Sequence, residues 1–231
     1  MRIGIIGTGQ IGGTLARRLR ALGHEVRVAN SRGPESLAAL AQETGAKPVT
    51  VQEAARDADL VVVTIPLKNV PNLPAGLFAH ASANLVVVDT CNYYPRQRDG
   101  RIAEIEAGMT ESQWVAKQVG HTVVKAFNNI YARHLLEKGQ PPGTPGRIAL
   151  PVAADDAAAK RTVMKLIDDL GFDPVDAGSL AESWRQQPGS PVYAKDYDAE
   201  GARHALADAK PARTPDWRGT ADSPGTFTAP A

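Results

Sequence analysis

Three glycines, Gly7, Gly9 and Gly12, follow the apolar segment Arg2–Ile6 with the spacing Gly-x-Gly-x-x-Gly. In this pattern the first glycine permits a tight turn, the second lets the backbone approach a pyrophosphate, and the third allows close helix–strand packing. A helix that begins here would also offer its free amide groups to the phosphates. The sequence therefore predicts a dinucleotide site made by consecutive residues: Gly7, Thr8, Gly9, Gln10, Ile11 and Gly12.

A second polar segment follows the next apolar run, Glu25–Val28, and bears on the choice of dinucleotide. An NAD site normally carries an acidic residue here, which bonds to the ribose hydroxyls. This chain has Asn30, Ser31 and Arg32 instead, and a guanidinium group suits bidentate recognition of the extra 2′-phosphate of NADP. These three residues predict NADP(H) in preference to NAD(H). The alternative is a solvated arginine in a polar turn.

Two further segments come directly after strand-like runs. Thr64, Ile65 and Pro66 end the first of these, and Asp89–Asn92 ends the second. Ligands of parallel α/β sheets gather outside the carboxyl ends of the strands. We therefore expect the first three residues to contact the nicotinamide half of the cofactor, although a simple strand terminator is the alternative. The second segment is expected to shape the pocket, with no chemistry assigned to it.

No set of side chains forms a recognisable catalytic motif. The five histidines show no pair at metal-ligand spacing, so no metal is predicted. Hydride transfer between two rings depends mainly on positioning and electrostatics, and no catalytic residue is assigned for it. An imine or ketone acceptor would require a proton donor. Lys125, Tyr131, Tyr193 and Asp196 are then candidates that no spacing distinguishes.

The elements that must position these residues alternate between strand-like and helical patterns. Such alternation predicts βαβ units and an α/β fold of the Rossmann type, a doubly wound parallel sheet. The expected organisation is an NADP-binding domain over residues 1–178, a small C-terminal substrate or dimer-contact segment over 179–210, and a flexible proline-rich tail over 211–231. Later elements are expected at Val123–Phe127, Ile148–Val152, Asp155–Leu170 and Ala199–Ala209.

Composition narrows the function classes. The chain has 231 residues, a net charge of +1 and no cluster of basic residues, which argues against a nucleic-acid binder or a polybasic membrane anchor. Its single cysteine, Cys91, excludes an internal disulfide and is expected to be a packing residue. The apolar runs are too short to cross a bilayer, and no signal-peptide core follows Met1. We expect a soluble cytoplasmic protein.

With these residues in view, the sequence resembles the NADPH-dependent deazaflavin oxidoreductases. The landmarks that carry the resemblance run in order from residue 1 to about 180: Gly7–Gly12, Gly23–Glu25, Asn30–Arg32, Leu60–Pro66, Val123–Phe127 and Asp176–Leu180. The resemblance implies a compact α/β domain with a small C-terminal addition, commonly a homodimer, that passes hydride between NADP(H) and a deazaflavin ring. It also implies NADP contacts at Thr8–Gly12, Ser31, Arg32 and the Ile65-Pro66 turn.

The string Lys125–Asn128 is similar instead to the NADPH domain of the membrane ferric reductases, which use a conventional flavin. Ala126 in this string is expected to contact the cofactor. The sequence thus predicts an oxidoreductase that passes hydride to a small-molecule redox acceptor, a deazaflavin or a flavin such as FMN or FAD. Four residues are expected to bind that acceptor: Phe127, Asn128, Ser179 and Arg185.

Two other functions stay open at this point. Imine and related small-molecule reductases share the N-terminal layout, but they usually continue into a long helical dimerisation domain, and the stretch after Gly178 is short for one. The other alternative is a non-catalytic NADPH-binding sensor or interaction module, which would use the fold without the chemistry.

Overall fold

The computed structural model describes residues 1–79, 81–211 and 230. Apart from Pro211 and Pro230, the tail predicted for residues 211–231 lies outside the described residues.

A six-stranded sheet forms the centre of the fold. Its strands are β1 (Arg2–Ile6), β2 (Glu25–Ala29), β3 (Lys47–Pro48), β4 (Leu60–Val63), β5 (Val86–Asp89) and β6 (Val124–Lys125). They are ordered β3-β2-β1-β4-β5-β6, and each neighbouring pair is parallel. Strand order thus runs outward from β1 in both directions, which confirms the predicted doubly wound Rossmann arrangement.

Two more strands extend this sheet past β6. β7 (Ala149–Val152) and β8 (Asp173–Asp176) pair in parallel with each other. An isolated antiparallel bridge joins them to the main sheet: the Lys125 amide donates to the Ala153 carbonyl at 2.8 Å, and the Ala153 amide donates back at 3.1 Å. The segment that contains β7 and β8 is therefore attached to the main sheet at its edge strand, β6.

Eight α-helices occur in the described residues: α1 (Gln10–Ala21), α2 (Ala38–Thr44), α3 (Val51–Ala55), α4 (Ala103–Glu106), α5 (Glu111–Val119), α6 (Ala132–Glu137), α7 (Ala157–Asp169) and α8 (Ala199–Asp208). Short 3-10 helices form at Pro34–Leu37, Leu67–Asn72 and Leu180–Gln186, and a π-helical turn forms at Pro95–Asp99. The sequence analysis did not anticipate α4, α5 or the 3-10 helix Leu180–Gln186.

Apolar side chains fill both faces of the sheet. On one face, residues of β1, β4 and β5 pack with α1 and α7, as in the buried contacts of Ile5, Leu15 and Leu166. On the other face the same strands pack with α3 and α5. The segment after β8 adds a smaller cluster, in which Leu206 of α8 packs with Val175. Because α8 shares this cluster with β7 and β8, the cluster contains residues from both sides of the predicted domain boundary at residue 178. That boundary stays a prediction.

Candidate functional site

The glycine turn lies between β1 and α1, and its first and third glycines are held by close packing. Gly7 has φ +104°, and a Cβ atom there would lie 2.2 Å from the Thr64 carbonyl oxygen. A Cβ atom at Gly12 would lie 2.0 Å from the Gly7 carbonyl oxygen. At Gly9 no atom of the described residues, its own chain neighbours apart, lies within 4 Å of the Cβ position. The structure therefore leaves open space at Gly9, where the motif requires a ligand to approach the backbone.

The first turn of α1 is also available to an anion. Gly9 is its N-cap residue, and no side chain caps the helix. The first amide groups of an α-helix have no partner within the helix, so an uncapped N-terminus favours a bound phosphate. Thr8, Gly9 and Gln10 all line a groove of about 490 Å³ at this end of α1.

Arg32 lines the same groove. Its backbone amide donates to the Asn30 side-chain oxygen at 2.9 Å, and the Asn30 side-chain amide donates to Ser36 Oγ at 2.9 Å. These bonds fix the turn after β2 while leaving the arginine side chain exposed. Within the described part of the chain, no carboxylate pairs with the Arg32 guanidinium. Ser31 is exposed in the same turn.

Several residues that line the groove were not predicted, and three of them carry polar groups that bear on a bound anion. Ser36 lies in the turn that Asn30 closes, while Arg17 and Arg133 reach the groove from α1 and α6. Arg17 is bonded to Glu43 at 2.5 and 2.7 Å. The arginine lowers the pKa of the Glu43 carboxyl through this hydrogen bond. Helical spacing alone does not show that α6 packs beside α1, so no sequence signal pointed to Arg133.

The turn after β4 lies directly against the glycine turn. The Thr64 amide donates to the Ile6 carbonyl at 2.9 Å, which continues the register of β4 with β1. A Cβ atom at Gly7 would meet the Thr64 carbonyl oxygen, and one at Gly12 would meet the Thr64 methyl group. Ile65 and Pro66 follow, both half-buried. The structure thus brings the two predicted segments together at the carboxyl edge of the sheet, and their contacts with a cofactor stay a prediction.

A buried charge cluster lies next to this edge. Lys125, Asp89 and Glu111 are each fully buried at the ends of β6 and β5 and the start of α5. Lys125 Nζ lies 3.4 Å from Asp89 Oδ2 and 3.6 Å from Glu111 Oε2, and it donates to the Cys91 carbonyl oxygen. Asp89 also accepts from Ser112 Oγ at 2.6 Å. The cluster joins the ends of two strands to α5.

The charges in this cluster support one another. Burial lowers the pKa of Lys125, but the attraction of Asp89 and Glu111 outweighs it and holds this pKa above its ordinary value. Burial, together with the Asp89 charge, raises the pKa of the Cys91 thiol, which fits the expected packing role. Lys125, a candidate proton donor by sequence, has no exposed surface and serves here to hold neighbouring segments together.

A second polar network crosses from β5 to β6 at the same edge. The Asn92 side-chain amide donates to the Asn128 carbonyl at 2.9 Å, and the Asn128 side-chain amide donates back to Asn92 Oδ1 at 3.1 Å. Asn128 also donates to the Gln186 carbonyl at 2.7 Å, and the Gln186 side-chain amide donates to Asn128 Oδ1 at 3.0 Å. The loops after β5 and β6 are thereby tied to the 3-10 helix Leu180–Gln186.

Two tyrosines complete this network. Tyr94 and Tyr193 join through their hydroxyl groups, and Asn92 Nδ2 donates to the Tyr193 hydroxyl oxygen at 3.3 Å. Burial comes first among the causes that raise the pKa of Tyr193 far above its ordinary value, followed by the Tyr94 hydroxyl. Of the four proton-donor candidates by sequence, Tyr193 is the one that joins Asn128 in this network.

The remaining predicted residues are held by internal contacts. Ala126 and Phe127 are fully buried, and Phe127, with φ +60°, belongs to the main apolar core. Ser179 caps the following 3-10 helix through Glu182. Arg185 donates to the Leu206 carbonyl at 3.2 Å. Of the predicted acceptor-binding residues, Asn128 alone lies in the Asn–Tyr network, and the roles of all four stay predictions.

A larger cavity of about 610 Å³ lies between the start of α5, the 3-10 helix Leu180–Gln186 and the end of α8. Trp184, Gln187 and Ser190 are among its lining residues. The side-chain nitrogen of Gln187 and the hydroxyl of Ser190 are buried there without a hydrogen-bond partner. Part of the lining comes from the segment after β8 that also carries Ser179 and Arg185, two of the predicted acceptor-binding residues.

Comparison with known proteins shows to which family the chain belongs. The chain is similar to the structure of the hypothetical protein SMa0349 from Sinorhizobium meliloti, at 33% identity and TM-score 0.72, over 85% of this chain and 94% of that one. Residues 2–93 match the family described as NADP oxidoreductase coenzyme F420-dependent. The chain belongs to this family. The resemblance drawn from the sequence motifs is thus confirmed.

Two further proteins to which the chain is similar have names that state an activity. The structure of an Arthrobacter sp. FB24 protein described as an F420-dependent NADP-reductase is 26% identical, with TM-score 0.62, over 79% of this chain and 87% of that one. The rat metalloreductase STEAP3 is 29% identical over 183 residues, which are 79% of this chain and 35% of that one. The chain spans only 51% and 35% of the length of the first two curated relatives that it matches.

The described residues contain neither a cluster of metal-ligating side chains nor a membrane-spanning helix. No group of three or more histidine, cysteine, aspartate or glutamate side chains there could hold a metal ion. In the same part of the chain, no helix combines the length and the apolar character needed to cross a membrane.

Proposed function

We propose that the protein is an NADP(H)-dependent oxidoreductase that transfers hydride between NADP(H) and a deazaflavin or flavin ring. The observation that carries the proposal is the groove at the start of α1, where the open space at Gly9 and the unpaired guanidinium of Arg32 occur together. Membership in a family of NADP oxidoreductases supports the same cofactor.

The residues present fit a dinucleotide that carries a 2′-phosphate. The amide groups at the start of α1, beside Thr8, Gly9 and Gln10, would hold the pyrophosphate. Arg32 would pair with the 2′-phosphate, and Asn30 and Ser36 hold the turn that presents it. A site for NAD would need a carboxylate at the end of β2 for the ribose hydroxyls, and Asn30–Arg32 contains none.

The chemistry at the carboxyl edge needs few groups from the protein. When bound, NADPH supplies a hydride, and the oxidised ring takes it up with one proton from solvent while NADP⁺ is left. Residues of the chain contribute position and the exclusion of water. The rigid amide network of Asn92, Asn128 and Gln186 would form one wall beside the ring.

Replacement of Arg32 by Ala tests the cofactor assignment. A charge-assisted hydrogen bond to phosphate contributes about 1.5–3 kcal/mol, so the Kd for NADPH should rise about tenfold to a hundredfold. The Kd for NADH should change by less than about twofold, since NADH has no 2′-phosphate. Arg203→Ala, at an exposed position of α8, is the matched control. An unchanged preference for NADPH in Arg32→Ala would contradict the assignment.

A panel of acceptors tests the reaction. The purified protein is incubated with NADPH and, in turn, with FMN, FAD, a deazaflavin or cyclic imines, and the nicotinamide absorbance is followed. We expect oxidation of NADPH with a ring cofactor and none with the imines. Oxidation with an imine alone would identify a small-molecule reductase instead. Tight NADPH binding without turnover on any acceptor would indicate a sensor or interaction module.

The proposal includes a homodimer, as the family resemblance implies, and a cytoplasmic location, as the composition predicts. Light scattering coupled to size-exclusion chromatography would measure a mass of twice the 24.5 kDa of one chain. A mass of one chain at micromolar concentration would exclude the dimer.

A further inference from the structure

The Tyr94–Tyr193 pair at the carboxyl edge has a hydrogen-bond donor that no group in the described part of the chain accepts. Tyr94 follows the end of β5, and Tyr193 lies between the 3-10 helix Leu180–Gln186 and α8. Both side chains are half-buried. The Arg98 guanidinium lies over the Tyr94 ring, 5.1 Å from its centroid, and holds that ring in place.

The two hydroxyl groups of the pair carry one more hydrogen than the hydrogen bond between them uses. A tyrosine hydroxyl carries one hydrogen and accepts through its oxygen. One of the two hydroxyl hydrogens makes the bond within the pair. Asn92 Nδ2 donates to Tyr193, so this contact uses an acceptor position and no hydroxyl hydrogen. No group in the described part of the chain accepts the second hydrogen, whichever tyrosine carries it.

The spare group is a neutral donor. Burial, the Tyr94 hydroxyl and the buried Glu111 carboxyl together hold the pKa of Tyr193 far above its ordinary value. Burial also raises the pKa of Tyr94, although Tyr193 and Arg98 act against it. Both hydroxyls therefore keep their hydrogens at neutral pH. A neutral hydroxyl that is partly shielded from water can donate to a ligand, and a neutral oxygen such as a carbonyl is a matching acceptor.

The location connects this donor with the reaction. Asn92 and Asn128 come directly after β5 and β6, and ligands of doubly wound sheets bind outside the carboxyl ends of the strands. We propose that the spare hydroxyl hydrogen of the Tyr94–Tyr193 pair binds a carbonyl oxygen of the hydride acceptor, so that the protein selects acceptors whose ring carries a carbonyl group. This inference rests on the proposed function. Flavin and deazaflavin rings carry such carbonyls, whereas a cyclic imine has none.

The test uses the double variant Tyr94→Phe/Tyr193→Phe, which keeps both rings and removes both hydroxyls. The Kd of FMN, FAD and a deazaflavin is measured on protein saturated with NADP⁺, by the fluorescence of the ring. We expect ring binding about tenfold weaker in the double variant. The Kd for NADPH and the unfolding temperature should stay near those of the wild type. Tyr197→Phe, at an exposed tyrosine outside the pair, is the matched control.

Binding separates this inference from the proposed function. If no acceptor is reduced but the wild type binds the rings and the double variant binds them tenfold more weakly, the proposed function fails and the inference stands. Ring binding within twofold of the wild type overturns the inference, as does a wild type that binds no ring. Weaker binding of NADPH alone also overturns it, because the hydroxyl would then bind the nicotinamide carboxamide. Should the double variant fail to fold, Tyr193→Phe and Tyr94→Phe are measured singly, and at least a threefold loss is required from one of them.

Discussion

Replacement of Gly9 by Ala should separate cofactor binding from folding. The added methyl group would meet no protein atom within 4 Å, and the backbone at Gly9, with φ −69°, suits alanine. Alanine lowers the conformational entropy of the unfolded chain relative to glycine, which favours folding slightly. Alanine is also a poorer N-cap residue than glycine, which acts in the opposite direction. Each effect is about 1 kcal/mol or less. The free energy of unfolding without ligand should therefore change by less than about 1 kcal/mol.

The effect on binding should be much larger. The methyl group would occupy the space through which a pyrophosphate approaches the backbone, and forcing an extra methyl group into a packed contact costs about 1–3 kcal/mol. The Kd for NADPH should rise about 5- to 150-fold. At NADPH 100 times the wild-type Kd, ligand stabilises the wild type by about 2.7 kcal/mol, or about 5–11 °C in Tm. A variant that binds 30-fold more weakly would keep only about 0.9 kcal/mol, or about 2–3 °C.

Thermal unfolding with and without NADPH, together with a fluorescence titration of NADPH, measures both quantities. Gly12→Ala is the contrasting variant, because its Cβ atom would lie 2.0 Å from the Gly7 carbonyl oxygen. It should lose about 3 kcal/mol of stability without any ligand. A Gly9→Ala protein that binds NADPH with the wild-type Kd would refute the assignment of this turn to the pyrophosphate.

Two further predictions concern stability. Lys125→Met should lower the free energy of unfolding by about 3–5 kcal/mol in chemical denaturation, because it leaves Asp89 and Glu111 buried without their cation. The pKa of Lys125 is higher in the folded than in the unfolded chain, so its contribution to stability is complete below the unfolded pKa of about 10.4 and is lost as pH rises through the folded value. Lys125→Met should lack this loss of stability at alkaline pH. An equal loss in both proteins would exclude Lys125 as its source. Thr110→Ala should cost about 1 kcal/mol in thermal unfolding, since Thr110 forms a capping box with Gln113 at the start of α5, and an unchanged Tm would show that the cap contributes little.

The cofactor half of the fold could be predicted because its signals are local. The glycine turn and each of the strand-like and helical runs lie within a few consecutive residues, and so does the capping box that the structure shows between Thr50 and Glu53. The turn after β2 was predicted for the same reason, although Ser36 in the same turn was missed. Thr110 and Gln113 have the same capping spacing as Thr50 and Glu53, so a signal for α5 was present in the sequence and was overlooked.

The acceptor half could not be predicted in the same way, because its contacts join residues far apart in the chain. Tyr94 and Tyr193 meet only after β5 and the segment following β8 are brought to one edge of the sheet. Lys125 looked like a candidate acid, and its burial between Asp89 and Glu111 depends on α5, which the sequence analysis did not place. No spacing rule reports pairs of this kind.

The long-range contacts also explain how one fold can keep its cofactor and change its acceptor. The groove that we propose for NADP is built from β1, α1 and the turn after β2, and its polar contacts stay within residues 7–43 apart from Arg133. The proposed acceptor wall depends on the bonds that tie Asn128 to Gln186 and on the Tyr94–Tyr193 pair. Since the two sets share no hydrogen bond among the described residues, we expect substitutions in the segment after β8 to alter the acceptor while the proposed NADP contacts are preserved. The family match covers residues 2–93, which hold the lining of the groove apart from residues of α6, whereas Asn128, Gln186, Tyr94 and Tyr193 lie outside that range.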